Sequence, residues 1–327
     1  MKLLTVSIAA YNVEKYLEKA LTSLTNNSEL MTLLEVIVED DGSTDGTFAI
    51  AEEFQSKYPG TFRAVHKENG GYGSTINNSI RLAKGRYFKQ LDGDDWFDTQ
   101  NFYGFLAFLN NRNDDLVLTP YYNCYEDGNI TLINHCKKVP SVVSDISALN
   151  LCEYLAMHEL TIKTALLKDN HISITENCFY TDNEYTFLPL LYAKTVGRYH
   201  KPVYCYRLGR NGQSVSLEGI KKHYMDSLAV AEKIYSAYND MKNDVSSIQP
   251  ILMRKICYIT DTVYTYYLVS GNKSISKEEL KKFDAWMKKN YFDLYKMTRG
   301  VKKVRLLRMT KFSIYGLLRK KVLREWI

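Results

Sequence analysis

The first 120 residues alternate short apolar runs with stretches of helical period, and few folds tolerate that alternation. Residues 3–9, 34–38, 62–66 and 87–91 read as buried strands. Between them, 13–24, 44–57 and 74–83 carry apolar side chains three and four apart, as Leu17, Ala20, Leu21 and Leu24 do in the first. A helix at 102–109 and a strand at 116–119 continue the series. Strand and helix in turn specify an α/β fold: a mostly parallel sheet, right-handed crossovers, and helices on both faces.

The pattern loosens after Tyr121 into short mixed segments and turns helical from Ile220. Ile220, Tyr224, Leu228, Ala231, Tyr235 and Tyr238 form one stripe, and Ile256, Ile259, Val263 and Tyr267 another. Ser276 with Glu279 reads as a capping box opening a third helix. The 327 residues suffice for about two folded units at roughly 150 residues each. The expected division is 1–120, 121–216 completing the same domain, and a helical extension over 217–327. No apolar run reaches the roughly 18–20 residues that span a bilayer. The N-terminal run reads as a strand rather than a leader, because Asn12, Glu14 and Lys15 interrupt it. Without a secretory segment, the six cysteines read as buried reduced thiols of a cytoplasmic protein, none spaced for zinc or redox exchange.

Charge is unevenly placed. Residues 299–327 carry ten Lys and Arg against the single acid Glu325, so this tail holds +9 in a chain whose net charge is +6. The remainder is weakly acidic at −3, which argues against nucleic acid as a partner. Within the tail, Val301, Val304, Leu307, Phe312, Tyr315, Leu318, Val322 and Trp326 fall mostly on one helical face. Such a helix suits an anionic membrane surface, or packs on its own domain with its cations in water. Gly300 and Gly316 weaken it as a continuous helix.

In an open parallel sheet, ligands bind beyond the carboxyl ends of the strands. The first strand runs into Ala10-Tyr11-Asn12, the second into Glu39-Asp40-Asp41-Gly42-Ser43-Thr44-Asp45, the fourth into Asp92-Gly93-Asp94-Asp95. Carboxylates two apart in a tight turn can approach one hard cation, and Gly93 lets the backbone bend between them. Oxygen ligands suit Mg²⁺ or Mn²⁺, which would neutralise a diphosphate. The run Asn69-Gly70-Gly71-Tyr72-Gly73-Ser74 lies between a strand and a helix and can offer N–H groups to phosphate. It is neither a Walker loop nor a full dinucleotide fingerprint.

Taken in order, Ser7-Ile8-Ala9-Ala10-Tyr11-Asn12, Val38-Glu39-Asp40-Asp41-Gly42-Ser43-Thr44-Asp45, Leu82-Ala83-Lys84-Gly85-Arg86-Tyr87 and Leu91-Asp92-Gly93-Asp94-Asp95-Trp96 resemble glycosyltransferase family 2. These are inverting nucleotide-sugar enzymes of GT-A fold. The resemblance is strong over residues 4–120 and thinner to Ser216. It implies that Asp41 with Asp40 holds the donor base, usually uracil, and that Ala10, Tyr11 and Asn12 line the nucleoside pocket. Gly71 and Asn77 fall on the donor side. Asp92 would meet the ribose and the metal, and Asp94 the cation. In Phe179-Tyr180-Thr181-Asp182-Asn183-Glu184-Tyr185, Asp182 matches the family's catalytic Asp, with Thr181 replacing the usual Glu and Glu184 a competitor. Arg207, with Arg210 and Gln213-Ser214-Val215-Ser216, resembles the closing loop over the diphosphate. Ile76 stands where many members carry Arg.

The implied activity is metal-dependent, inverting transfer from a nucleotide sugar, a UDP-sugar, to a hydroxyl of a glycan or lipid-linked acceptor. The setting is bacterial surface-polysaccharide synthesis on the cytoplasmic side. Asp182 would act as general base. A sugar nucleotidyltransferase is the first alternative, but that class needs a Gly-rich loop after strand one, where this chain has Ala10-Tyr11-Asn12-Val13. A non-catalytic nucleotide-sugar-binding protein is the second. The 26 Tyr include Tyr121, Tyr122, Tyr125 and Tyr180 as sugar-stacking candidates.

Overall fold

The computed structural model describes residues 2–209 and 216–324. The chain divides into two compact units, 1–210 and 211–327. Arg210 and Gln213-Ser214-Val215 of the expected closing loop, and Glu325 and Trp326 of the tail, lie outside the described residues.

The first unit opens β1(Leu4–Ala10), α1(Glu14–Thr22), α2(Ser28–Met31), β2(Leu34–Asp40), α3(Thr47–Lys57), β3(Phe62–His66), α4(Tyr72–Leu82) and β4(Tyr87–Asp92). It continues with β5(Trp96–Phe97), α5(Thr99–Asn110), β6(Leu116–Leu118), β7(Tyr121–Tyr125), β8(Ile130–Ile133), β9(Ser144–Asp145), β10(Leu160–Lys163), α6(Thr164–Asp169), α7(Asp182–Phe187), β11(Thr195–Arg198) and β12(Tyr204–Leu208). An eight-stranded sheet runs β3-β2-β1-β4-β10-β6-β11-β9, and a four-stranded one β5-β12-β7-β8. The strands β3, β2, β1 and β4 are parallel. They read as near-continuous apolar runs because both faces are covered: Leu4, Val6, Ile8, Val36, Ile37 and Val38 are each 0% exposed.

Two features of this unit depart from a simple strand–helix series. β6 does not follow β4 in the sheet, because β10 inserts antiparallel to both. The Lys84-Gly85 step is structural: Gly85 N–H donates to Thr5 Oγ1 (2.9 Å) and Lys84 N–H to Glu35 Oε2 (2.6 Å). A Cβ on Gly85 would stand 2.4 Å from the Thr5 nitrogen. The cysteine reading is corrected as well. Cys136 and Cys152, 16 residues apart, are joined by a disulfide, because the chain beyond β8 folds back to bring their Cα atoms to 4.2 Å. Cys124, Cys178, Cys205 and Cys257 form no disulfide among the described residues. The pairing removes the ground on which thiols alone were assigned to a reducing compartment.

The second unit is helical: α8(Leu217–His223), α9(Asp226–Met241), α10(Gln249–Val269), α11(Lys273–Asn290), α12(Phe292–Met297), α13(Lys302–Met309) and α14(Tyr315–Arg324). The first stripe is split between α8 and α9, with Tyr235 and Tyr238 buried. The capping box at Ser276 is displaced. Asn272 caps α11 by accepting the N–H groups of Ser274 and Ile275 (both 3.1 Å). Ser276 sits inside the helix, its hydroxyl donating to Asn272 O (2.6 Å). The basic tail is two helices, not one, and the chain turns at Lys311 and Phe312, both at positive φ. Val304, Leu307, Phe312, Tyr315 and Val322 are buried within this unit. Three tail cations are engaged there: Lys303 with Asp261 (3.1 Å), Arg308 with Asp284 (2.6 Å), and Arg319 with Leu268 O (2.6 Å). No helix among the described residues is long and apolar enough to cross a membrane.

Candidate functional site

Sheet register brings the three polar strand ends together. Ala10 lies beside Asp40, and Ala9 beside Asp92. The loops after β1 and β2 are then knitted to each other. The N–H groups of Asn12, Val13 and Glu14 donate to Ser43 Oγ (2.9 Å), Thr47 Oγ1 (2.8 Å) and Asp45 Oδ2 (3.2 Å). Asn12 Oδ1 accepts the Thr44 N–H (2.9 Å). Ala10 is buried, whereas Tyr11 is 52% exposed beside it. Asp40 is fully buried, with Oδ2 2.6 Å from His66 Nδ1. Asp41 Oδ1 pairs with Lys67 and accepts the Gly70 N–H (3.0 Å).

The Gly-rich run serves close packing. Gly71 has φ +78°, and a Cβ there would lie 3.1 Å from Asn177 N; one on Gly73 would lie 2.0 Å from Thr175 O. The space a side chain would fill is taken by the segment 174–178. Asn77 holds that segment: its Nδ2 donates to Ile174 O (2.8 Å) and Glu176 Oε1 (2.9 Å), and its Oδ1 accepts the Ile174 N–H (2.8 Å). Asn77 is thus a buttress for the chain leading to Asp182. Ile76 is fully buried.

The acidic turn is clamped by β12. Tyr204 OH donates to Asp95 Oδ2 (2.6 Å) and accepts the Asp92 N–H (3.1 Å). Asp95 Oδ1 accepts the Arg207 N–H (2.7 Å), and Arg207 Nε donates to Asp94 O (2.9 Å). The Arg207 guanidinium lies over Tyr16 and Trp96, 4.8 and 5.0 Å from the ring centroids. Arg207 therefore braces the turn. Tyr72 OH donates to Asp92 Oδ1 (2.7 Å). Burial first, then the charges of Asp92 and Asp94, push the Asp95 carboxyl well above the usual carboxylate range.

Asp92, Asp95 and His158 form a group of candidate metal ligands, one ligand atom from each lying within 4.8 Å of the others. The carboxylate of Asp94 is not in that group. The His158 ring stacks on Tyr206 at 4.3 Å and neighbours Tyr204 and Tyr121. Burial pushes its imidazole down to about 3, so it is neutral. Its Nδ1 is buried with no hydrogen-bond partner among the described residues. An imidazole grouped with two carboxyl groups suits Mn²⁺ and, with its oxygen ligands, Mg²⁺. The sequence pattern around His158 carries no motif, and its arrival here is purely tertiary.

Asp182 opens α7 and is exposed. After burial, the Tyr206 hydroxyl feels the charges of Asp92, Asp95, Asp94 and Asp182 in turn, which push it up; the Tyr72 hydroxyl also feels Asp92 and Asp182. Asp182 therefore shares the neighbourhood of the acidic turn. Its competitor Glu184 is fully buried and accepts the Thr175 N–H (2.8 Å).

An open, mostly parallel sheet whose strand ends converge on a clamped acidic turn defines the GT-A class of glycosyltransferase folds. Residues 5–168 match the family described as Glycosyl transferase family 2, and the chain belongs to that family. It is 37% identical over 125 residues, 38% of this chain and 40% of the relative, to an uncharacterized glycosyltransferase of Mycoplasma pneumoniae. It is 26% identical over 219 residues, 65% of this chain and 36% of the relative, to poly(ribitol-phosphate) beta-N-acetylglucosaminyltransferase TarS of Staphylococcus aureus. The chain thus spans well under half the length of these curated relatives. In fold it is similar to the crystal structure of S. aureus TarS 1–349 in complex with UDP-GlcNAc, at TM-score 0.62 and 20% identity, over 93% of this chain and 92% of that one.

Proposed function

We propose that the chain is a metal-dependent, inverting glycosyltransferase. It moves a sugar from a UDP-sugar to a hydroxyl of a glycan or lipid-linked acceptor, in bacterial surface-polysaccharide synthesis on the cytoplasmic side. The observation that carries this reading is the clamped Asp92–Asp95 turn with neutral His158 beside it and Asp182 in the same neighbourhood. TarS, the relative named above, is a transferase crystallised with UDP-GlcNAc. Asp92, Asp95 and His158 would hold a divalent ion, with Asp94 in the same turn. Such an ion neutralises the charge of a departing diphosphate.

The remaining steps belong to the protein. Asp40 and Asp41, with Tyr11 and Gly71 beside them, would take the donor base. Tyr204 and Arg207 hold the acidic turn rigid, so charge stabilisation needs no rearrangement at the moment of transfer. Asp182 takes the proton of the acceptor hydroxyl, the hydroxyl oxygen attacks the anomeric carbon, and the nucleoside diphosphate leaves from the opposite face. The nucleotidyltransferase alternative is disfavoured because the N–H groups of residues 12–14, which a phosphate loop would need, are spent on Ser43, Thr47 and Asp45.

The test is a panel of nucleotide sugars assayed for hydrolysis and transfer with Mn²⁺, with Mg²⁺ and with chelator. A donor turned over only with metal is expected, and Asp182→Asn should abolish transfer while nucleotide binding persists. Binding without turnover of any donor would favour the non-catalytic alternative.

We also assign an anionic membrane surface as a partner of 299–327. Lys302, Arg305, Lys311, Lys320, Lys321 and Arg324 remain exposed, and beside them Met309 is 74% and Leu317 70% exposed. Basic side chains around protruding apolar ones suit an anionic lipid surface.

A further inference from the structure

We propose that the helical unit carries a saccharide-binding cleft of its own. The inference rests on the glycosyltransferase reading for its biological sense, but the cleft is argued from its own residues. It has a volume of about 660 Å³ and lies where the end of α9, the start of α10 and the α11–α12 junction meet. That volume falls within the roughly 300–1,000 Å³ of small-molecule sites. Four carboxamides line it, Asn239, Asn243, Gln249 and Asn290, together with the rings of Tyr291 and Phe292.

A carboxamide presents a donor and an acceptor side by side, which matches neighbouring sugar hydroxyls, while an aromatic face covers the C–H face of a pyranose. Much of this capacity is open. Asn290 spends Nδ2 on Trp286 O (2.8 Å), which leaves Oδ1. Asn239 spends Oδ1 on Lys242 (3.1 Å), which leaves Nδ2. Asn243 has no side-chain partner among the described residues, and Phe292 is 52% exposed. Lys296 pairs with Asp293 at 3.1 Å, and the lining's second lysine, Lys242, donates to the neutral Asn239 Oδ1 (3.1 Å), so the cleft keeps one net positive charge. The four carboxamides beside two aromatic rings therefore suit a polyhydroxylated chain. Held there, an acceptor glycan is kept at high effective concentration on the same molecule that extends it.

The experiment titrates the full chain by calorimetry with neutral di- and trisaccharides of hexose and N-acetylhexosamine, alongside Asn243→Ala/Phe292→Ala. Both residues are exposed, and an unchanged melting curve checks that the variant folds. The expected result is saccharide binding by the wild type that weakens at least about tenfold in the variant, with metal-dependent donor hydrolysis unchanged. No binding of any of these saccharides by the wild type, or equal binding by the variant, overturns the cleft. Binding without donor hydrolysis in the wild type leaves the cleft standing and sinks the transferase reading instead.

Discussion

Gly73 shows how a single missing side chain organises the site. A Cβ placed there would stand 2.0 Å from Thr175 O, a backbone atom that cannot swing aside. Gly73→Ala is therefore expected to cost about 1–3 kcal/mol by overpacking, despite the better helix propensity of Ala; a thermal melt at or above that of the wild type would contradict this. Glu39 supplies a pH test. It is fully buried, and burial raises its pKa against the opposing hydrogen bonds of Asn78 and Ser79. A carboxyl raised in the folded state binds its proton more tightly there. Its contribution is complete below the unfolded value near 4.5 and is lost as pH rises through the folded value. Glu39→Gln should thus gain on the wild type in melting temperature between acid and neutral pH, and a pH-independent difference would refute the assignment. At this scale, residues in local motifs were legible: Asp40, Asp41 and Asp92 stand at strand ends because the runs before them are strands. His158, Tyr72 and Tyr204 were not, because only tertiary folding brings them to the turn. Asn77 and the glycines were legible as special positions, but their partner segment 174–178 was invisible.

At the scale of elements, periodicity located the strands and helices, and competition among side chains set their ends. Asn272 outcompetes Ser276 as a cap because its Oδ1 accepts two N–H groups at once. The tail breaks at Lys311–Phe312 rather than Gly316, because Phe312 is buried there and its N–H closes on Leu307 O (2.7 Å). The order β4-β10-β6 was illegible, since a short reversed strand carries no period of its own. The link between α11 and α13 is a buried pair, Asp284 with Arg308, whose guanidinium also lies 3.8 Å from the Tyr295 ring centroid. Asp284→Ala leaves that cation without its carboxylate, and the expected loss is about 3–5 kcal/mol in denaturant unfolding. Asp284→Asn, which keeps an acceptor, should lose less; equal losses would mean the charge is irrelevant.

At the scale of the molecule, cutting the chain at Arg299 is a poor test of membrane binding, because α13 and α14 contribute Val304, Leu307 and Tyr315 to the core of their own unit. Charge reversal at Lys311, Lys320 and Lys321 leaves that core intact. It should weaken partitioning onto phosphatidylserine vesicles by at least about 1 kcal/mol per residue. Raising salt from about 0.1 to 1 M, which shortens the screening length from about 10 to 3 Å, should do the same to the wild type. Co-sedimentation that ignores both changes would reject the surface. The clamp on the acidic turn has a temporal side. Tyr204 stands 112 residues beyond the amide it holds at Asp92. At roughly 5–20 residues per second, a ribosome displays those acids for on the order of ten seconds before it delivers the hydroxyl that organises them. Nascent or prematurely released chains therefore carry the carboxylates without their brace.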